Sequence, residues 1–335
     1  MTARDEAITR FLTTNGWGDA DLSPLAGDAS FRRYLRANRG RETAVVMDSP
    51  TPGSVTPFVR VAGMLADIGL SVPRVLASDL EAGLLLLEDF GDRTYSAVLA
   101  AGADETVLYR LAVDVLIHKD RAAGDRIDLP TYDDARALEG VSRFTEWYAP
   151  AVLGEGLSQS AVDAFLDGWR SVMPVARAVP ATLVHFDFHV DNLMALADRA
   201  GTARCGLLDF QDAVRGPVTF DLVSLLQDAR RDVPPALAAE MIERYLAAFP
   251  VLDRAAFDAS YAVLGAQRAT RIIGTFTRLD RRDGKPGYLR HIARVWGWLE
   301  RDLEHPALAG VKDWFGMDLP AARRVAPAPV SGRAA

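Results

Sequence analysis

The sequence predicts an α+β chain in two lobes, a small antiparallel-sheet lobe over residues 1–90 and a mainly helical lobe over 91–320. Two observations carry this. Up to residue 90 the apolar runs are short and end in turn residues, as strands do, whereas beyond Gly91 apolar residues recur at helical spacing. A third concerns the end of the chain: residues 321–335, AARRVAPAPVSGRAA, have the alanine, proline and arginine bias of a disordered tail.

In the first lobe Ile8, Phe11 and Leu12 have the spacing of a short helix. GDASFRRYLRA and ETAVVMD read as two strands around a turn at Asn38 to Gly40, a hairpin. Pro57 then stands near the start of a helix whose apolar face is Phe58, Val61, Leu65 and Ile68, and Gly69 is placed to end it. SVPRVLASD and LLLLEDF, joined by LEAG, make a second strand pair. In the second lobe Leu108, Leu111, Ala112, Val115 and Leu116 line one helix face, FTEWYAPAVL continues a second helix and AVDAFLDGWRSVMPVA a third. Strand-like runs interrupt at TLVHF, NLMAL and CGLLDF, and helices resume at FDLVSLLQDA, AAEMIERYLAAF, AAFDASYAVLGAQRATRIIGTF and LRHIARVWGWLERDL.

Composition excludes several function classes. The net charge of −7 argues against general nucleic-acid affinity, which rests on a lysine and arginine surplus. The single cysteine, Cys205, sits in the apolar run RCGLLDF and reads as a small buried hydrophobe, with no intrachain disulfide. The N-terminus lacks a signal-peptide core, and the longest aliphatic run, LLLL at 84–87, is too short to span a bilayer. A cytoplasmic protein without membrane contact or an obligate protein partner is the expectation.

The stretch HFDFHVDNLMAL, 185–196, concentrates two histidines, two aspartates and an asparagine, and a further carboxylate, Asp209, ends CGLLDF. As an extended segment it would put His185, Asp187 and His189 on one face, where they could chelate a metal. That hydrolytic reading lacks further ligands, because the remaining histidines, His118, His291 and His305, have no partners in sequence. Phosphoryl transfer uses the same residues better. Asp187 can accept a hydroxyl proton, while Asn192 and Asp209 offer hard oxygen ligands to Mg²⁺ that would sit between the phosphates of ATP. The spacing H-F-D-x-x-x-x-N followed by D-F-Q parallels the protein-kinase signature.

On these residues the chain resembles the aminoglycoside phosphotransferase-like kinases, small-molecule kinases with the two-lobed protein-kinase fold. The LLLLEDFG linker, the HFDFHVDN loop and LLDFQDAVRGPVTFDL follow in that family's order. AGDASFRRYLR, LLEDFGD, FTEWY and RDGKPGYL are similar to its anomeric kinases for N-acetylmuramate and N-acetylglucosamine. The resemblance implies an ATP- and Mg²⁺-dependent sugar kinase forming an α-1-phosphate in peptidoglycan recycling. It implies Asp187 as base, Asn192 and Asp209 as metal ligands, Glu88, Asp89 and Phe90 as the hinge that meets adenine, and Asp221 as a buried support of the catalytic loop.

One departure matters. The third strand should carry a phosphate-binding lysine, but TAVVMDSP has Met47 there, and no lysine precedes Lys119. Within Ser30, Phe31, Arg32 and Arg33, which replace a glycine-rich phosphate cradle, the two arginines are the candidate cations, and strand alternation leaves only one of them facing phosphate. Near the acceptor, His189 could contact substrate or pack, and Gln211, Asp212 and Arg215 follow Asp209 as sugar contacts or turn residues. Phe144, Trp147 and Tyr148 read as core, with sugar stacking the lesser reading for Trp147. The loop 278–289 reads as solvated surface, with Arg278 or Lys285 open as the cation for a lactyl carboxylate. Two alternatives stand beside the sugar kinase: a kinase of another small alcohol such as an aminoglycoside, choline or homoserine, and a nucleotide-binding pseudokinase motivated by the missing lysine.

Overall fold

The computed structural model describes residues 2–25, 32–51, 53–124 and 127–330, so the expected roles of Ser30 and Phe31 lie outside the described residues. The chain divides into two compact units, Met1–Ala122 with Val190–Ala213, and Ala123–His189 with Val214–Ala335. This differs from a single boundary at residue 90.

The first unit opens with helix α1 (Ala3–Thr14), where the Thr2 hydroxyl accepts the Asp5 N–H and the Asp5 carboxylate accepts the Thr2 N–H, a reciprocal cap. Strands β1 (Asp21–Pro24), β2 (Arg33–Arg39) and β3 (Glu42–Asp48), helix α2 (Thr56–Asp67), and strands β4 (Val75–Asp79) and β5 (Leu84–Glu88) follow. They form one antiparallel sheet in the order β1-β2-β3-β5-β4. The predicted hairpin is β2–β3, turned at Gly40 with φ +61°. Helices α3 (Tyr95–Ala100) and α4 (Glu105–Ala123) complete this stretch, and Lys119 is buried in α4 beside Asp120 at 3.0 Å.

The register decides what each sheet face carries. Arg33 opposes Asp48, Leu35 opposes Val46 and Ala37 opposes Ala44, so these residues share a face, with Leu86 opposite Val46. Ala37, Ala44, Val46, Leu84 and Leu86 pack there against Ile8, Phe11 and Leu12 of α1. The other face carries Tyr34 opposite Met47 and Arg36 opposite Val45, continued by Leu85 and Leu87.

The second unit is mainly helical. Helix α5 (Asp134–Arg143) runs into a π-helical turn, Phe144–Tyr148, then α6 (Ala149–Leu153), α7 (Gln159–Ala176) and strand β6 (Ala181–Val184). Strands β7 (Leu193–Ala195) and β8 (Cys205–Leu207) pair with each other and return to the first unit, bridging to Thr94 and Ser71. Strand β9 (Val214–Pro217) pairs with β6. Helices α8 (Thr219–Leu226), α9 (Pro235–Ala248), α10 (Arg254–Arg281), α11 (Ile292–Asp302) and α12 (Ala309–Asp318) follow.

Helix α10 is the axis of this core, with Val263, Ala266, Ile273 and Phe276 in the same cluster as Phe144, Tyr148, Trp169 and Trp296. It comes very close to the π turn at Gly274, where an added Cβ would lie 2.4 Å from the Arg143 carbonyl carbon and 2.5 Å from the Phe144 nitrogen. FTEWY is therefore not a plain α-helix, and Phe144 and Tyr148 are core while Trp147 is half-buried. The first residues of the segment expected as a tail make contacts. Arg323 donates to the Val152 carbonyl, Arg324 donates to that of Phe315, and the Tyr148 hydroxyl lies 3.0 and 2.8 Å from the carbonyls of Arg323 and Val325. No helix among the described residues is long and apolar enough to cross a membrane.

Candidate nucleotide cavity and catalytic loop

A cavity of about 240 Å³ lies within the first unit. Tyr34 and Arg36 of β2, Val45 of β3, Leu87 of β5 and Phe58 of α2 form part of its wall; Glu88, Asp89 and Phe90 line it too, as do Asn192, Met194, Leu208 and Asp209. The β7–β8 hairpin brings the last group together. Leu193 opposes Leu207, and the next step is a backbone bond from the Leu208 N–H to the Asn192 carbonyl at 2.9 Å, which sets Asn192 and Asp209 at one end of the ladder. Asp209 holds a left-handed φ of +60°, costly for a residue with a Cβ, and its Oδ1 accepts the Gln211 amide at 2.8 Å. Apolar walls fit a purine, and an amide and a carboxylate at one end fit a hard cation, so the residues present suit a magnesium nucleotide.

The expected hinge residues are fastened from both sides. Glu88 is paired with Arg199 at 2.6 Å and Arg74 at 3.2 Å, and the Arg199 guanidinium lies 4.9 Å over the Phe90 ring. Gly206 in β8 makes room for that ring, since a Cβ there would be 2.8 Å from it.

Sequence reasoning sought the missing cation at Arg32 or Arg33. Arg33 does not supply it, because it is on the α1 face of the sheet, where the buried Asp48 pairs with both Arg33 and Arg4 at 2.5 Å. Arg32 precedes β2 and is not among the cavity-lining residues. The cavity's own cation is Arg36, which sequence reasoning missed. Its Nε is 2.7 Å from Asp89, and its Nη2 is 2.8 Å from Asp92. These two carboxylates raise its already high pKa further. Its signal is strand parity, readable once the register is known: Arg36 lies two positions beyond Tyr34 on the sheet face that also bears Met47 of β3. Met47 itself is fully buried.

The HFDFHVDN loop, the candidate catalytic loop, belongs to the second unit up to His189. Phe186 has φ +83°, and the buried Asp221 in the first turn of α8 holds this strained turn, its two oxygens accepting the His185 and Phe186 N–H groups at 2.8 and 3.1 Å. Phe186 stacks on Phe220 at 5.2 Å. Asp187 is thereby turned outward, its side chain about one-third exposed, with Arg271 Nη2 at 3.9 Å. His189 is buried, and burial followed by the charges of Arg230 and Arg268 holds its pKa well below the ordinary value, so it is neutral.

The remaining candidates scatter. Gln211 is buried against Asp209 and Asp212 is exposed, both in the first unit. Arg215 lies in β9 of the second unit, its backbone tied to Pro130 and Tyr132. Arg278 falls near Arg143, Arg282, Asp283 and Glu139. The hydrolytic alternative needs three clustered ligands, and no group of three or more His, Cys, Asp or Glu is placed to hold a metal among the described residues.

Comparison with known proteins adds the family. The chain is 39% identical to an N-acetylmuramate/N-acetylglucosamine kinase of Caulobacter vibrioides, over 96% of this chain and 98% of that one. It is 38% identical to a protein of the same name from Pseudomonas aeruginosa, over 91% of each. A choline/ethanolamine kinase family protein from Mesorhizobium loti shares the fold, with a TM-score of 0.63 at 14% identity over 92% of this chain and 99% of that one. Residues 21–257 match the model of the phosphotransferase enzyme family known as APH, and the chain belongs to that family.

Proposed function

We propose that this chain transfers the γ-phosphoryl group of ATP to the anomeric hydroxyl of N-acetylmuramate or N-acetylglucosamine, giving the α-1-phosphate for cell-wall recycling. The observation that carries the reading is the paired end of the β7–β8 hairpin, where Asn192 and Asp209 enter the wall of the cavity that Glu88, Asp89 and Phe90 also line. The relatives' names supply the acceptor. Asn192 and Asp209 would hold Mg²⁺, which when bound neutralises charge on the phosphates.

Asp187 orients the acceptor hydroxyl and takes its proton at a carboxylate oxygen. Asp221 keeps the loop rigid enough for that, and Arg271 lies 3.9 Å from Asp187. An anomeric hydroxyl is more acidic than an ordinary alcohol, so positioning and charge neutralisation supply most of the rate. Purified protein incubated with ATP, Mg²⁺ and a panel of amino sugars, aminoglycosides, choline and homoserine tests this, with phosphorus NMR locating the new ester. Phosphate on the anomeric oxygen of the N-acetylated sugars is expected. Phosphate on another hydroxyl or another acceptor would overturn the proposal.

A further inference from the structure

We propose that Arg268 and Arg271 form the subsite that receives the carboxylate of N-acetylmuramate, the charged substituent that distinguishes this sugar from N-acetylglucosamine. The inference rests on the sugar-kinase reading above. The two arginines are one turn apart on α10 and share a face. Arg271 lies 4.5 Å over the Phe186 ring and 3.9 Å from Asp187, and Gly140 of α5 leaves it room, since a Cβ there would be 3.1 Å from its Cδ.

Arg268 is only 4% exposed, donates to the Gln227 carbonyl at 3.0 Å, and has an Nε without a hydrogen-bond partner, as does Arg271. The charges acting on Arg268 are those of Arg271 and Arg230 against Asp187 and Asp228, so that with Arg268 itself three guanidiniums face two carboxylates. Neutral His189 does not change that count. Burial, the largest cause, lowers the Arg268 pKa to about 10. Such an interior stabilises an incoming anion, and a guanidinium fork matches a carboxylate.

Geometry selects the acceptor as its source. The anomeric hydroxyl must come within hydrogen-bond reach of Asp187, so a substituent elsewhere on the same ring falls within a side chain's length of Arg271. The nucleotide has its own candidate partners in Asn192, Asp209 and Arg36 of the first unit.

The test compares kcat/KM for N-acetylmuramate and for its neutral carboxamide, with N-acetylglucosamine as reference, in the parent, Arg271→Gln and Gly140→Ala. The parent should favour the acid over the amide by about tenfold or more, the scale of one charge-assisted contact. Arg271→Gln should remove most of that ratio through KM, whatever it does to the absolute rates, and Gly140→Ala, which crowds Arg271 without altering it, should reduce the ratio in part. Arg268→Gln is a secondary variant because its site is buried. A parent indifferent between acid and amide, or an Arg271→Gln loss equal on all three acceptors, would overturn the subsite and assign Arg271 to Asp187 or to phosphate. A parent that phosphorylates neither sugar is a separate result, which overturns the sugar-kinase reading and this inference with it.

Discussion

Replacing Arg36 by methionine keeps the bulk of the side chain and removes its charge, and the structure separates the consequences for stability and for ATP. Arg36 is 18% exposed and binds Asp89, which is 5% exposed, and Asp92, which is 77% exposed. Stranding one member of a buried pair costs about 3–5 kcal/mol at the upper end. Asp89 also accepts the Gly91 N–H at 2.8 Å, and Asp92 returns to water. The loss should therefore be near 2 kcal/mol, on the order of one charge-assisted contact. The ATP effect has a different origin: a polyanion would meet Asp89 and Asp92 without their shared cation, and KM for ATP should rise about tenfold.

Urea unfolding and ATP kinetics at one ionic strength measure the two quantities. The double variant Arg36→Met, Asp89→Asn should recover most of the stability and little of the ATP affinity. Arg33→Ala should lower stability, because Asp48 loses one of two guanidiniums, while leaving KM for ATP near the parent's. An Arg36→Met enzyme with parental KM for ATP, or an Arg33→Ala enzyme that matches Arg36→Met in KM, would refute the assignment of the cavity's cation.

Further outcomes follow from the same contacts. Asp209→Asn should raise the Mg²⁺ concentration needed for half-maximal rate, read from a magnesium titration; a parent equally active in excess chelator would remove the metal from the mechanism. Gly274→Ala should cost about 2–4 kcal/mol in urea unfolding, because its Cβ meets the Arg143 and Phe144 backbone, and an unchanged midpoint would contradict that close approach. Asp302, buried with Gln227 donating to it at 2.9 Å, has its carboxyl held well above 3.8 by burial. The fold keeps this acid protonated while the unfolded chain ionises, so its contribution is complete below 3.8 and is lost as pH rises toward the folded pKa, by up to about 1.4 kcal/mol per pH unit. Asp302→Asn should thus gain on the parent as pH rises from 4 to 7, and a constant difference in unfolding free energy over that range would show the carboxyl is not protonated in the fold.

Much of the fold was legible because local signals agreed with tertiary packing. Gly69 ends α2 with φ +81°, Gly40 turns the β2–β3 hairpin with φ +61°, and the apolar spacing of Phe58, Val61 and Leu65 matches the buried face. At the candidate site, Asn192 and Asp209, expected from a motif, do fall in the wall of one cavity. Arg36 was not expected there, although strand parity marks it. Parity has meaning only once the register is known, and the register depends on which residue of β3 faces which of β2. Arg33 attracted attention because it adjoins the loop, yet Asp48, fifteen positions away, decides its direction. The same limit hid the π turn at FTEWY, which packs closely against Gly274 on a helix more than a hundred residues later.

Strain in the catalytic loop sharpens the point. Phe186, at φ +83°, is a non-glycine residue in a region that ordinarily costs of order 1–3 kcal/mol, and no glycine in HFDFHVDN relieves it. What holds the turn is Asp221, 36 positions from His185, through two bonds from backbone N–H to one buried carboxylate. Two charge-assisted bonds are on the order of 3 kcal/mol or more together, enough to offset the strain, and the Phe186–Phe220 stack adds to it. The phenylalanine ring thus anchors the backbone that turns Asp187 outward. It also carries the Arg271 guanidinium over its face, so the residue that looks least chemical in the motif connects the proposed base, Asp187, to the cation beside it.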